Sequence, residues 1–115
     1  MLDVKLFKVD RADSTPTWLP IIKELEKRGY KTYFKAESAD ISIVLGGKME
    51  NPMALSGRRV LAYAPGEWQP KYYGWRFFAR ILEHYYHDFI DLSSTSIKDA
   101  VDKIEGYIKK ELTKL

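Results

Sequence analysis

A chain of 115 residues has room for one hydrophobic core, and within that length it excludes two domains with a cleft between them. A composition of 45% hydrophobic and 30% charged residues excludes wholesale disorder, and the lack of cysteine excludes disulfides, thiolate nucleophiles and Cys-ligated zinc. The 19 basic residues exceed the 16 acidic ones to give a net charge of +3, dispersed from Lys5 to Lys114, which suits an anionic ligand without demanding nucleic acid.

The sequence Met1-Leu2-Asp3-Val4-Lys5 enters a strand-like pattern without the apolar core and cleavage site of a secretory leader. No run approaches the roughly 18 consecutive apolar residues of a membrane span, so the expectation is a cytoplasmic protein with no membrane span. Residues 4–9 predict a strand, with Lys5 and Lys8 marking an end or face near water. A polar loop over residues 10–16 follows, in which Ser14, Thr15 or Thr17 can cap a helix. Trp18, Ile21, Ile22 and Leu25 recur on one helical face, and Gly29 supplies the left-handed position that ends it.

Residues 30–35 alternate rings and charges, the pattern of a half-exposed edge strand, and only a short link separates them from the buried strand predicted over residues 41–45. Adjacent parallel strands ordinarily need a crossover of about a dozen residues. The second strand is therefore either a short parallel edge strand or an antiparallel one, and the doubly wound pattern that follows favours the former. Residues 49–57 read as a loop or one helical turn, and residues 60–63 as a buried strand broken by Pro65-Gly66. Trp75, Phe78, Ala79, Leu82, Tyr85 and Tyr86 then recur at helical spacing, residues 89–92 form the last strand, and Ser96 with Asp99 opens a final helix lined by Ile97, Ala100, Val101, Ile104, Ile108 and Leu112. Taken together this is a single α/β domain over residues 1–115, a three-layer Rossmann-like or flavodoxin-like sandwich around a mainly parallel five-stranded sheet.

Ligands of such sheets gather at the carboxyl ends of the strands, which singles out the loops that follow them. Glu67 beside Trp68 is the leading candidate for a functional acid, since an aromatic wall raises a carboxyl's pKa and stacks a sugar or base; the competing reading is a solvated loop acid next to a ring that seals the sheet edge. Asp13, with Asp10, is the candidate second carboxylate, although aspartate is also an ordinary loop residue. Gly46 and Gly47 can let a ligand approach the backbone with Lys48 neutralising an anion, but they lack the spacing of a phosphate-binding motif and a plain turn is the stronger reading; Gly66 stands with Glu67 and Trp68 where ligands usually gather. Ser93, Ser94, Thr95 and Ser96 put hydroxyls and N–H groups at a helix amino end, where they either cradle a phosphate or simply cap the helix.

His84, His87 and Asp88 mimic metal-ligand spacing without a third or fourth ligand in pattern, so a histidine pair at a helix end is the stronger reading, and neither metal nor cofactor is expected. Lys71, Tyr72, Tyr73, Arg76 and Arg80 form a basic-aromatic cluster; helical spacing draws Trp75 into the core, which leaves a pocket wall or partner surface rather than a stacking platform for single strands.

The run from Trp18 through Arg28-Gly29-Tyr30, then Ala39-Asp40-Ile41-Ser42-Ile43-Val44-Leu45-Gly46-Gly47, then His87-Asp88-Phe89-Ile90-Asp91-Leu92-Ser93 resembles the amino-terminal half of GT-B-fold glycosyltransferases. The resemblance implies an acceptor-side Rossmann-like domain. That family's donor-binding domain and paired-glutamate motif have no counterpart in these residues, so a homodimer or separate protein partner would supply the other wall. The expected function is binding of a phosphorylated or sugar-nucleotide-like ligand at the carboxyl edge, with Glu67 as general acid or base if there is turnover. The alternative is a non-catalytic interaction domain using residues 65–76.

Overall fold

Strand β3, Ile41–Leu45, is an apolar pentapeptide broken only by Ser42, and all of it is buried. It lies at the centre of a sheet built from β1 (Val4–Lys8), β2 (Thr32–Tyr33), β4 (Arg58–Tyr63) and β5 (Asp88–Asp91). The computed structural model describes residues 2–8, 18–35, 37–45, 54–63, 85–92 and 96–114. The sheet has five strands in the order β2-β1-β3-β4-β5, and every pairing is parallel. The α/β class expected from the sequence is therefore present, with a flavodoxin-type strand order.

Helix α1, Trp18–Lys27, buries Trp18, Ile21, Ile22 and Leu25. Pro20 falls in its first turn, where a missing N–H leaves no helical bond unmade. Gly29 terminates it at φ 96°. The Gly29 N–H donates to Glu26 O at 3.0 Å and the Tyr30 N–H to Leu25 O at 3.0 Å, the paired bonds of a Schellman ending.

The direction of β2 is settled by its register, Leu6 against Thr32 and Phe7 against Tyr33. It is a parallel edge strand of two residues. A short return suffices because β2 pairs only with the far part of β1: the descent along a five-residue strand is about 16 Å, well inside the reach of residues 34–40. The return crosses the sheet on the face away from Leu6, where Lys5 Nζ donates to Ser38 O at 2.6 Å. It ends where Asp40 and Ile41 donate their backbone N–H groups to Asp3 O at 2.9 and 3.1 Å.

Helix α2, Ile97–Leu112, lies beside α1 on one face of the sheet. Its Ala100, Val101, Ile104 and Ile108 join Trp18, Ile22 and Leu25 over Leu6, Ile43, Val60 and Ile90. On the opposite face Phe7, Val44 and Leu61 are covered by Leu55 and Tyr86. Of the helix expected through Tyr86, the part before Tyr85 lies outside the described residues; Tyr86 packs on the side the doubly wound pattern requires. The stripe expected on α2 is corrected at its ends: Ile97 is 47% and Leu112 39% exposed, while Glu111 is buried. Glu111 and Leu112 compete for the position that follows Ile108, and Arg58 on β4 draws Glu111 inward through a 3.2 Å bond.

Candidate functional site

From β1 the chain turns toward β2, and from β3 it turns the other way toward β4. The strand order reverses between β1 and β3, so the crevice outside their carboxyl ends is the topological switch point. The last paired residues there are Lys8 and Leu45.

Lys8 departs from the sequence expectation. It is only 9% exposed rather than facing water. Alternation along β1 puts Lys5 with Phe7 on one face and Lys8 with Leu6 on the other, so the two lysines do not mark a common wet face. The Lys8 ammonium lies 4.2 Å from the centroid of Phe34, the residue that follows β2. Phe34 itself is 57% exposed, the most exposed large hydrophobic among the described residues. On the other face Tyr33 packs on Phe7 at 5.7 Å and receives Lys31 at 4.9 Å and Lys5 at 5.5 Å. The β2 side of the sheet is thus basic and aromatic.

Of the residues singled out from the sequence, Ser96 is described. Its hydroxyl accepts from the Asp99 N–H at 3.1 Å, so the side chain is engaged as the amino-terminal cap of α2. Asp13, Gly46, Gly47, Lys48, Gly66, Glu67, Trp68, Ser93, Ser94 and Thr95 lie outside the described residues, as do Asp10, His84 and the cluster from Lys71 to Arg80. His87 and Asp88 have structural partners. His87 Nδ1 accepts from the Arg59 N–H at 2.9 Å, and the Arg59 side chain donates to Tyr85 O at 2.8 Å. Among the described residues no group of three or more His, Asp or Glu side chains is arranged to hold a metal ion.

A second polar constellation sits at the amino edge of the sheet. Asp88 Oδ2 accepts from Arg58 Nη2 at 2.7 Å and from the Tyr107 hydroxyl at 2.9 Å. Burial lifts the Asp88 carboxyl, but the Phe89 N–H, the Tyr107 hydroxyl and the Arg58 and Lys114 charges outweigh it and hold Asp88 below the usual carboxylate range. Burial, the bond to Asp88 and that residue's negative charge hold the Tyr107 phenol well above its usual range. Glu111 takes Arg58 Nη1 and Lys114 Nζ, at 3.2 and 3.1 Å. With its acids already matched by bases, this network fastens α2 to β4 and β5 and leaves no activated group for chemistry. No described helix is long and apolar enough to cross a membrane.

Lys8 and Phe34 are the residues that sequence reasoning passed over. The available signal was a lysine at the last position of an apolar strand, directly before a polar loop. Comparison of the chain with protein-family models, curated proteins and solved structures returns no significant match.

Proposed function

We propose that this chain is a small Rossmann-like domain that binds a phosphorylated, sugar-nucleotide-like ligand along the carboxyl edge of its sheet, in the manner of a glycosyltransferase acceptor-side domain. The observation that carries the reading is the reversal of strand order between β1 and β3, which in open α/β sheets creates the crevice where ligands bind. A cationic residue, Lys8, ends β1 at that crevice, and Lys48 follows β3 in sequence. In this proposal Gly46, Gly47 and Gly66 let the ligand approach the backbone, Trp68 is a stacking wall, Ser93, Ser94 and Thr95 supply hydroxyls to the anion, and Glu67 with Asp13 provides acid–base chemistry if the ligand is turned over.

The test is a thermal-shift series on the purified protein with uridine and adenosine diphosphates and their sugar conjugates, repeated on Glu67→Gln and Trp68→Ala. A ligand selective for the native state raises the melting temperature, by an amount that grows with its concentration over its Kd. The expected result is a shift with the parent protein that Trp68→Ala removes, and Glu67→Gln retaining binding while losing any turnover. No shift at millimolar ligand, with the protein folded, sinks the proposal.

A further inference from the structure

We infer that the outer edge of β2 takes an extended segment of a partner protein in which acidic and apolar residues alternate, added to the sheet as a further strand. Strand β2 ends the sheet, and among the described residues no strand pairs with it on the side away from β1. Such an edge offers backbone N–H and C=O groups to another chain. Its two faces differ in chemistry, and that difference sets the pattern of the occupant.

One face is cationic. Lys31 lies 4.9 Å and Lys5 5.5 Å from the centroid of Tyr33, so two ammonium groups converge on one ring. Lys5 is matched by Asp3 at 3.4 Å. Lys31 is exposed and, with the exposed Lys35, forms no ion pair among the described residues. The segment supplies no acid of its own: between Glu26 and Glu37 the chain holds Lys27, Arg28, Lys31 and Lys35 and no acidic residue. Arg28 is paired with Glu24 and Asp102 at 3.2 and 2.8 Å, whereas the lysines of the edge keep their charge open to a partner.

The other face is apolar. Alternation sends Phe34 to the side opposite Tyr33, where its ring stands beside Lys8 and is still 57% exposed. A strand laid along β2 places successive side chains on the two faces in turn, so its acidic residues meet Lys31 and Lys35 while its apolar residues cover Phe34. With only two residues in β2, the ladder contributes few main-chain bonds, and side-chain matching on both faces sets the selectivity. The same charges disfavour a second copy joined edge to edge, which would bring identical lysines together.

The competing role for these lysines is to guard the edge against any pairing. A guard, however, has no use for an exposed phenylalanine beside it. The inference draws on none of the residues assigned to the phosphorylated ligand, so either reading can fail alone.

Fluorescence anisotropy of dye-labelled Glu-Val-Glu-Leu-Glu-Val, titrated with the purified protein, tests it against two controls. Lys-Val-Lys-Leu-Lys-Val reverses the charge, and Glu-Pro-Glu-Leu-Glu-Pro keeps the charge but lacks N–H groups a strand needs. The acidic alternating peptide is expected to bind about tenfold or more tightly than either. Lys31→Glu/Lys35→Glu, at exposed positions, is expected to weaken that peptide by about tenfold or more and to gain affinity for the basic one. Phe34→Ala is expected to weaken it by about fivefold while keeping the charge preference. Circular dichroism checks that both variants are folded. Equal binding of the proline peptide shows charge attraction without strand addition and overturns the inference. No binding of the alternating peptide at millimolar protein overturns it as well, and self-association of Lys31→Gln/Lys35→Gln in that case identifies the guard role.

Discussion

Arg58 on β4 and Asp88 on β5 meet diagonally across the sheet, Nη2 lying 2.7 Å from Oδ2, while Asp88 is directly opposite Val60. Through its other nitrogen Arg58 also reaches Glu111 near the end of α2, so one side chain links two strands and a helix. Replacing Arg58 with Met leaves the almost fully buried Glu111 with Lys114 as its remaining basic partner and removes a partner from Asp88. Since Arg58 and Asp88 are both more than a third exposed, solvent softens the loss, and the expected destabilisation is about 1–3 kcal/mol by urea denaturation. In a double-mutant cycle with Asp88→Asn, the combined loss should be smaller than the sum.

The same network sets how stability depends on pH. Asp88 is lowered in the folded state, so its contribution is present above the unfolded carboxyl pKa of about 4 and is lost as pH falls through the lower folded value. Asp102, held down by Arg28 and Lys98, and Glu105, held down by Tyr30 and Lys109, act in the same direction. Tyr107 is raised: above about pH 10 the unfolded phenol ionises before the folded one, and stability declines as pH climbs. Denaturation midpoints should therefore drop at both extremes. Tyr107→Phe should flatten the alkaline limb, and ultraviolet titration of the tyrosinate band should show one phenol fewer resisting ionisation.

Gly57, at φ 69°, turns the chain into β4 directly against the backbone of Ala39 and Asp40. A Cβ there would meet both carbonyl oxygens, and Asp40 O is already held by the Arg58 N–H at 2.9 Å. Neither side can yield cheaply. Gly57→Ala should cost more than the ~1–2 kcal/mol of left-handed strain alone, read as a lower urea midpoint. By contrast Gly106 lies in the middle of α2 with open space around it, and Gly106→Ala should stabilise by about 0.5–1 kcal/mol.

Ser96 is a helix cap by its geometry, so Ser96→Ala should cost about 1 kcal/mol of stability whether or not a nucleotide is present. Ser96→Asp should restore it, because aspartate caps and complements the amino-end dipole. A loss of nucleotide affinity without a loss of stability would assign the hydroxyl to the ligand instead.

Local rules account for much of what the sequence foretold. The burial of Trp18, Ile21, Ile22 and Leu25, the left-handed Gly29, the fully buried β3 and the Ser96 cap each depend on periodicity or on a bond spanning a few residues. Such features are written in neighbouring side chains and need no knowledge of the rest of the chain. The candidate site was legible as a location, the carboxyl edge, because strand–helix alternation implies a switch point.

Other features depended on tertiary structure. The direction of β2 was open until its register with Leu6 and Phe7 fixed it. The burial of Glu111 in place of Leu112 follows from an arginine far away in sequence, and the meeting of Lys8 with Phe34 follows from β1 and β2 being neighbours. By itself, then, the sequence determined α1 and α2, the Gly29 and Ser96 ends and the apolar strands among the described residues, while the folded sheet decided which charged residues are buried and what they touch. The reason is physical: a side chain's periodicity is a property of its own segment, but the partner that makes a buried charge tolerable comes from whichever element the topology places beside it.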